Sequence, residues 1–225
     1  MNDGRHPLAV LQKLRTEAPA QPRVRAGERC ELCAAPVGDV HGHLVDLESR
    51  ALLCSCRPCW LLFTPEGAGG RHYRAVPDRY LSFPDLTLGP AQWEALQIPV
   101  SVAFFFVNSE LERVAAFYPG PAGATESLLS LDAWATVVEA HPALASVVPD
   151  VEALLVRTDR GGGAECFLVP IDACYELVGR LRQLWRGFDG GSEARQALDD
   201  FFDGVRQRAR PAPSTAPAPG DGTPG

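Results

Sequence analysis

VEALLVRTDRGGGAECFLVPIDACYELVGRLRQLW, residues 151–185, decides the fold. Two apolar runs, 151–158 and 164–170, flank the turn DRGGG. Glycine there supplies backbone angles that bulkier residues resist, so the pair reads as a β-hairpin. The hairpin runs directly into a predicted helix, DACYELVGRLRQLW, over 172–185.

An earlier stretch echoes this unit. VSVAFFFV (100–107), the turn NSE and LERVAAFY (111–118) read as another hairpin, followed by a loop and a helix, LDAWATVVEA, over 131–140. Both helices open with Asp-Ala after an apolar residue, so Asp132 and Asp172 are predicted N-caps. Two ββα units predict a four-stranded antiparallel sheet with helices on one face. A further helix, SEARQALDDFFDGVRQRAR, closes the domain with Ser192 as its cap. The expected class is α+β.

Upstream lies CELCAAPVGDVHGHLVDLESRALLCSCRPC, Cys30–Cys59, with five of the seven cysteines. Cys30-x2-Cys33 and Cys56-x2-Cys59 are separated by 22 residues, the spacing of two metal knuckles facing each other across a hairpin. A two-residue gap turns both sulfurs of a pair to one side, so two pairs supply four thiolates at tetrahedral corners. Backbone amides in the tight turns can donate to sulfur, and Arg29, Arg50 and Arg57 stand near enough in sequence to offset the charge. So short a module cannot build an adequate core alone, and a metal would brace it. Cys54, His41 and His43 are alternative ligands to that shell. Cys54 lies two residues before Cys56, and the two histidines, two apart, share one face of a strand.

A closed shell of four cysteines has no place for water or substrate, so Zn²⁺ there would be structural. The same thiolates around Fe would make a rubredoxin-like electron carrier, although CRPC followed by Trp60 lacks the Pro-first, Gly-last turn of rubredoxins. The stretch also resembles the treble-clef core of HNH nucleases. That match fails where the chemistry needs it: Trp60 replaces the terminal histidine, and only 12 residues separate His43 from Cys56.

Elsewhere no catalytic set is legible, which favours a binding scaffold over an enzyme. YPGPAGATESL (118–128) reads as a crossover loop and lacks the lysine of a phosphate loop. Cys166 and Cys174 are expected as small buried side chains, the latter with the option of a helix-lowered pKa. A net charge of −7 argues against a nucleic-acid coat. The longest apolar run, VSVAFFFV, is too short to span a bilayer, and no leader is legible, so a cytoplasmic protein without membrane insertion is expected. The predicted organisation is an N-terminal arm over 1–27, a zinc-ribbon-like Cys module over 28–66, an α+β domain over 67–209, and a disordered Pro/Ala/Gly tail over 210–225.

CELC, HGHLVDLESRALLCSCRPC, IPVSVAFFFVNS, YPGPAGATESLLSLDAW, DVEALLVRT and VPIDACYELVGRLRQLWRGF together resemble an uncharacterised actinobacterial family. Its genes sit near those of high-affinity uptake NiFe-hydrogenases. The resemblance implies a setting in hydrogenase assembly, maturation or electron transfer. The implied partner is a hydrogenase subunit or maturation factor.

Overall fold

The computed structural model describes residues 29–64, 72–86, 88–121, 123–127, 135–136, 138–139, 141, 144, 146–159, 163–187 and 190–213. The predicted arm 1–27 and the tail beyond 213 lie outside them, as does Asp132. Among the described residues no helix is long and apolar enough to cross a membrane.

Among the described residues the chain is α+β with two sheets. The smaller sheet, ordered β2-β1-β3, contains β1 (Gly42–Asp46), β2 (Ala51–Ser55) and β3 (Tyr73–Ala75), all antiparallel. Helix α1 (Arg57–Leu62) follows β2. The larger sheet is built from β4 (Leu81–Ser82), β5 (Val102–Asn108), β6 (Arg113–Gly120), β7 (Gly123–Ser127), β8 (Glu152–Thr158), β9 (Ala164–Pro170) and β10 (Arg210–Pro211). Its order is β10-β4-β9-β8-β5-β6-β7. The remaining helices are α2 (Pro90–Ala95), α3 (Ile171–Leu184) and α4 (Gly191–Arg208).

The two expected hairpins form the centre, β5–β6 and β8–β9, joined by antiparallel pairing of β5 with β8. Three parts of the expectation change. The sheet has seven strands rather than four. The Gly/Pro-rich stretch read as a crossover loop instead turns sharply after Gly120 and returns as β7. Arg210–Pro211, at the start of the expected tail, pairs parallel to β4.

The expectation of helices on one face is also corrected. Alternate residues of the central strands serve two cores. Val102, Phe104, Ala153, Leu155, Phe167 and Val169 face α3 and α4, which bring Cys174, Leu177, Ala197, Phe202 and Val205. Ala103, Phe105, Leu154, Val156, Cys166 and Leu168 face the opposite way, towards Leu88, Leu96, Ile98 and Leu144. Residues 135, 136, 138 and 139 of the expected helix 131–140 are helical, and Val138 packs on this second face. A strand covered on both sides is apolar throughout, which is why VAFFFV does not alternate. Each fully buried phenylalanine, such as Phe104 or Phe105, contributes roughly 1.5–3 kcal/mol.

Neither predicted cap holds for the helices described. Pro170 occupies the N-cap of α3, because the Ile171 N–H is bonded to the Val151 carbonyl (2.9 Å) and the strand runs straight into the helix. Asp172 is thereby the second helical residue. Gly190, in the left-handed region at φ 87°, precedes α4, and Ser192 falls inside the helix.

The Cys module is not coreless. Val45, Leu47 and Val76 belong to the same buried cluster as α3 and α4, and the module's third strand comes from beyond residue 66. Arg74 of β3 donates to the Pro149 carbonyl (2.8 Å) and to Asp150 (3.2 Å), tying the small sheet to the large one.

Candidate metal centre

The first knuckle is a turn closed on itself. The Cys30 N–H donates to the Ala35 carbonyl (2.7 Å) and the Ala34 N–H to the Cys30 carbonyl (2.8 Å). Ala34 adopts φ 60°, the left-handed conformation that favours glycine. The second knuckle is the start of α1, with Cys56 at the N-cap, Pro58 in the first turn and Cys59 one turn on. Proline suits this position because a first-turn amide has no helical partner to lose. Residues three apart on a helix share a face, so both sulfurs point back at the first knuckle.

All four thiols come together. The sulfurs of Cys30, Cys33, Cys56 and Cys59 lie within 4.8 Å of one another, and Cys33 and Cys56 are 3.6 Å apart. Bonds of roughly 2.3 Å from a tetrahedral zinc would set sulfurs about 3.8 Å apart. All seven cysteines are free thiols. The cluster could hold a metal ion with little movement of its sulfurs.

Cys30 and Cys59 are displaced in opposite directions. Burial pushes Cys30 up, but the amides of Cys56, Cys33 and Leu32 outweigh it and hold the pKa at about 6, below the ordinary 9.0. Burial raises Cys59 most, followed by the neighbouring thiols. Cys30 is thus more acidic than Cys59, whose thiolate a cation beside it would favour. Cys174 departs from expectation: full burial raises its pKa, and any helix effect is overridden. Burial likewise pushes Cys166 up to about 12.

The arginines divide. Arg29 donates to the Ala34 carbonyl (2.8 Å) at the first knuckle, and the Arg57 guanidinium stacks 4.4 Å over the Trp60 ring. Arg50 sits in the turn at the opposite end of the hairpin, where it cannot offset charge at the sulfurs.

His41, His43 and Cys54 do not enter the four-sulfur shell. They gather as a second group, their own ligand atoms within 4.8 Å of one another. His43 Nδ1 lies 2.8 Å from Asp172 Oδ2, across 129 residues of sequence. No sequence signal marked that pairing, because Asp172 read only as a helix cap.

Trp60 has a structural role. Its Nε1–H donates to the Val76 carbonyl (2.9 Å), and its ring lies against Gly42. A Cβ at residue 42 would meet Trp60 Cδ1 at 2.6 Å, and the ring is pinned by its hydrogen bond and by Arg57. Gly42→Ala is expected to cost about 1–3 kcal/mol through overpacking, read as a lower denaturation midpoint. A midpoint equal to wild type would show that the ring yields freely.

Residues 29–209 match the model of a family of unknown function, DUF5947. The chain belongs to this family. Comparison with curated proteins and with solved structures returns no match. The match covers both the four-thiol cluster and strands β4 to β9 of the large sheet.

Proposed function

We propose that the chain is a non-catalytic accessory protein. In this reading the four-thiol cluster holds a structural Zn²⁺ and the α+β domain docks on a protein partner. The setting proposed is the assembly, maturation or electron transfer of an uptake NiFe-hydrogenase, on the strength of the family resemblance.

The carrying observation is the closed four-sulfur geometry, with every sulfur within 4.8 Å of the other three. Four protein ligands leave no position for substrate, so an ion here braces the β1–β2 hairpin against α1 and performs no chemistry. The module also exposes large apolar side chains, Val40 at 97 %, Leu61 at 50 % and Leu62 at 65 %. They supply contact area for a partner.

Protein from its native source is expected to carry zinc in the four-thiolate site and to be colourless. Visible absorption with stoichiometric iron would replace this reading with a rubredoxin-like carrier, since four thiolates accept either metal. Metal-dependent DNA cleavage lost in a His43→Ala chain would replace it with the nuclease reading. Deletion of the gene is expected to impair hydrogenase activity or subunit processing; unchanged activity and processing would remove the proposed setting.

A further inference from the structure

We propose a second metal site, separate from the four-thiol cluster, formed by His41, His43 and Cys54. It takes a divalent borderline-soft cation such as Zn²⁺ and leaves one coordination position open.

The backbone explains why three ligand-type side chains converge. His43 and Cys54 are direct partners in the antiparallel β1–β2 pair, so their side chains stand side by side on one face. His41, two residues earlier, projects to that same face, and the two imidazole centroids are 4.8 Å apart. A ring nitrogen from each histidine and the Cys54 sulfur all lie within 4.8 Å.

Both rings are held from behind. His43 Nδ1 faces Asp172 Oδ2 at 2.8 Å, and His41 Nδ1 faces the Gly38 carbonyl at 2.8 Å. A carbonyl oxygen only accepts, so His41 donates from Nδ1, which leaves Nε2 as the nitrogen that can offer a lone pair to a cation. The Asp172 carboxylate likewise accepts from His43 Nδ1 and leaves Nε2 facing away from it. Asp172 is itself fixed, its other oxygen accepting the Ala173 N–H at 2.8 Å. A histidine donating its outer N–H to a carboxylate or carbonyl while offering the inner nitrogen is the usual arrangement of a metal ligand.

A second observation points the same way. Among the described residues His41 Nε2 is buried and has no hydrogen-bond partner. A lone pair withdrawn from water and left unmatched destabilises the fold, whereas a cation beside it would complete the geometry. Two imidazoles and one thiolate suit Zn²⁺ and its neighbours better than they suit Mg²⁺ or Ca²⁺, which prefer oxygen.

Three protein ligands leave the fourth tetrahedral position free. Both histidines, but not Cys54, line a cavity of about 490 Å³ together with Gly38 and Asp172, the groups that hold the two rings through Nδ1. Zn²⁺ with one thiolate keeps a single positive charge, so the open position takes water, hydroxide or a small anion. In contrast to the closed cluster, a site of this kind can bind or exchange a ligand.

The test uses the full chain, titrated with Co²⁺ and Zn²⁺. Wild type is expected to bind two equivalents, one with the intense sulfur-to-cobalt bands of four thiolates and one with a weaker, single-thiolate spectrum. His41→Gln, His43→Gln and Cys54→Ser should each remove the second equivalent and leave the four-thiolate spectrum intact. Asp172→Asn, which keeps shape and folding, should weaken the second equivalent about 10- to 100-fold without touching the first. Azide should shift the second spectrum in wild type, and no azide response should remain in His43→Gln. One equivalent in wild type, or two equivalents surviving in His43→Gln, overturns the site; a second spectrum indifferent to azide overturns its open position. Absence of the four-thiolate bands in wild type would instead count against the closed cluster, so the two failures are distinguishable.

Discussion

If the four-thiol cluster holds zinc as proposed, a strong chelator is expected to melt the Cys module while the large sheet stays folded. Structural zinc in small domains contributes roughly 10–16 kcal/mol of apparent binding energy at neutral pH, much more than the module's share of apolar burial can replace. The module is tied to the main core by Val45, Leu47 and Val76 and by the Arg74–Asp150 and His43–Asp172 bridges, whereas β5, β8 and β9 are covered on both faces. Protease should therefore cut first within 29–64 of the metal-free chain and spare 163–208. Cys33→Ser and Cys59→Ser should mimic chelation. Cys174→Ser should not, because that thiol lies buried in α3, outside the cluster. Should chelation change neither the cleavage pattern nor the unfolding profile, the cluster would not be a structural metal site.

Arg79→Ala is expected to cost about 1–3 kcal/mol, less than for a fully buried pair because the Arg79 side chain is 38 % exposed. Glu152 opens β8 and is fully buried. Its carboxylate accepts from Arg79 Nε (2.7 Å) and Nη2, and from the Val148 N–H (2.8 Å). Removing the guanidinium leaves a buried carboxylate without its counter-charge. Replacing both partners, as in an Arg79→Met, Glu152→Met chain, should restore most of the loss, because neither charge then needs solvation. Chemical denaturation gives the comparison, with the midpoint falling in the single variant and the slope unchanged. A loss below about 1 kcal/mol would place the pair among surface ion pairs of little weight.

The sequence was most legible where local chemistry governs. Cys30, Cys33, Cys56 and Cys59 are spaced so that two short turns aim four sulfurs inward, and they meet within 4.8 Å. The hairpins around NSE and DRGGG fall within two residues of expectation, since each pairs neighbours across a short turn. Legibility ended where partners are remote or elements brief. β4 and β10 are two residues each, too short for any periodicity to register. β7 was hidden by Pro119, Gly120 and Gly123, residues that announce a turn but do not reveal that a strand follows it. Asp172 fits a cap pattern on local grounds, yet its carboxylate is committed to His43 by the way the small sheet settles on α3. The distribution of helices over both faces was likewise invisible, because an unbroken apolar strand such as VAFFFV shows that it is covered but not by what.

The parallel pairing of Arg210 with Leu81 has a consequence for biosynthesis. The strand order interleaves early and late segments of the chain, and β4 waits for β9 on one side and β10 on the other. As the polypeptide leaves the ribosome, β5 and β6 emerge as an oily ribbon well before α3 and α4 exist to shield it. Such delayed closure makes folding slow and exposes the nascent chain to sticking, the circumstance in which chaperone capture matters most.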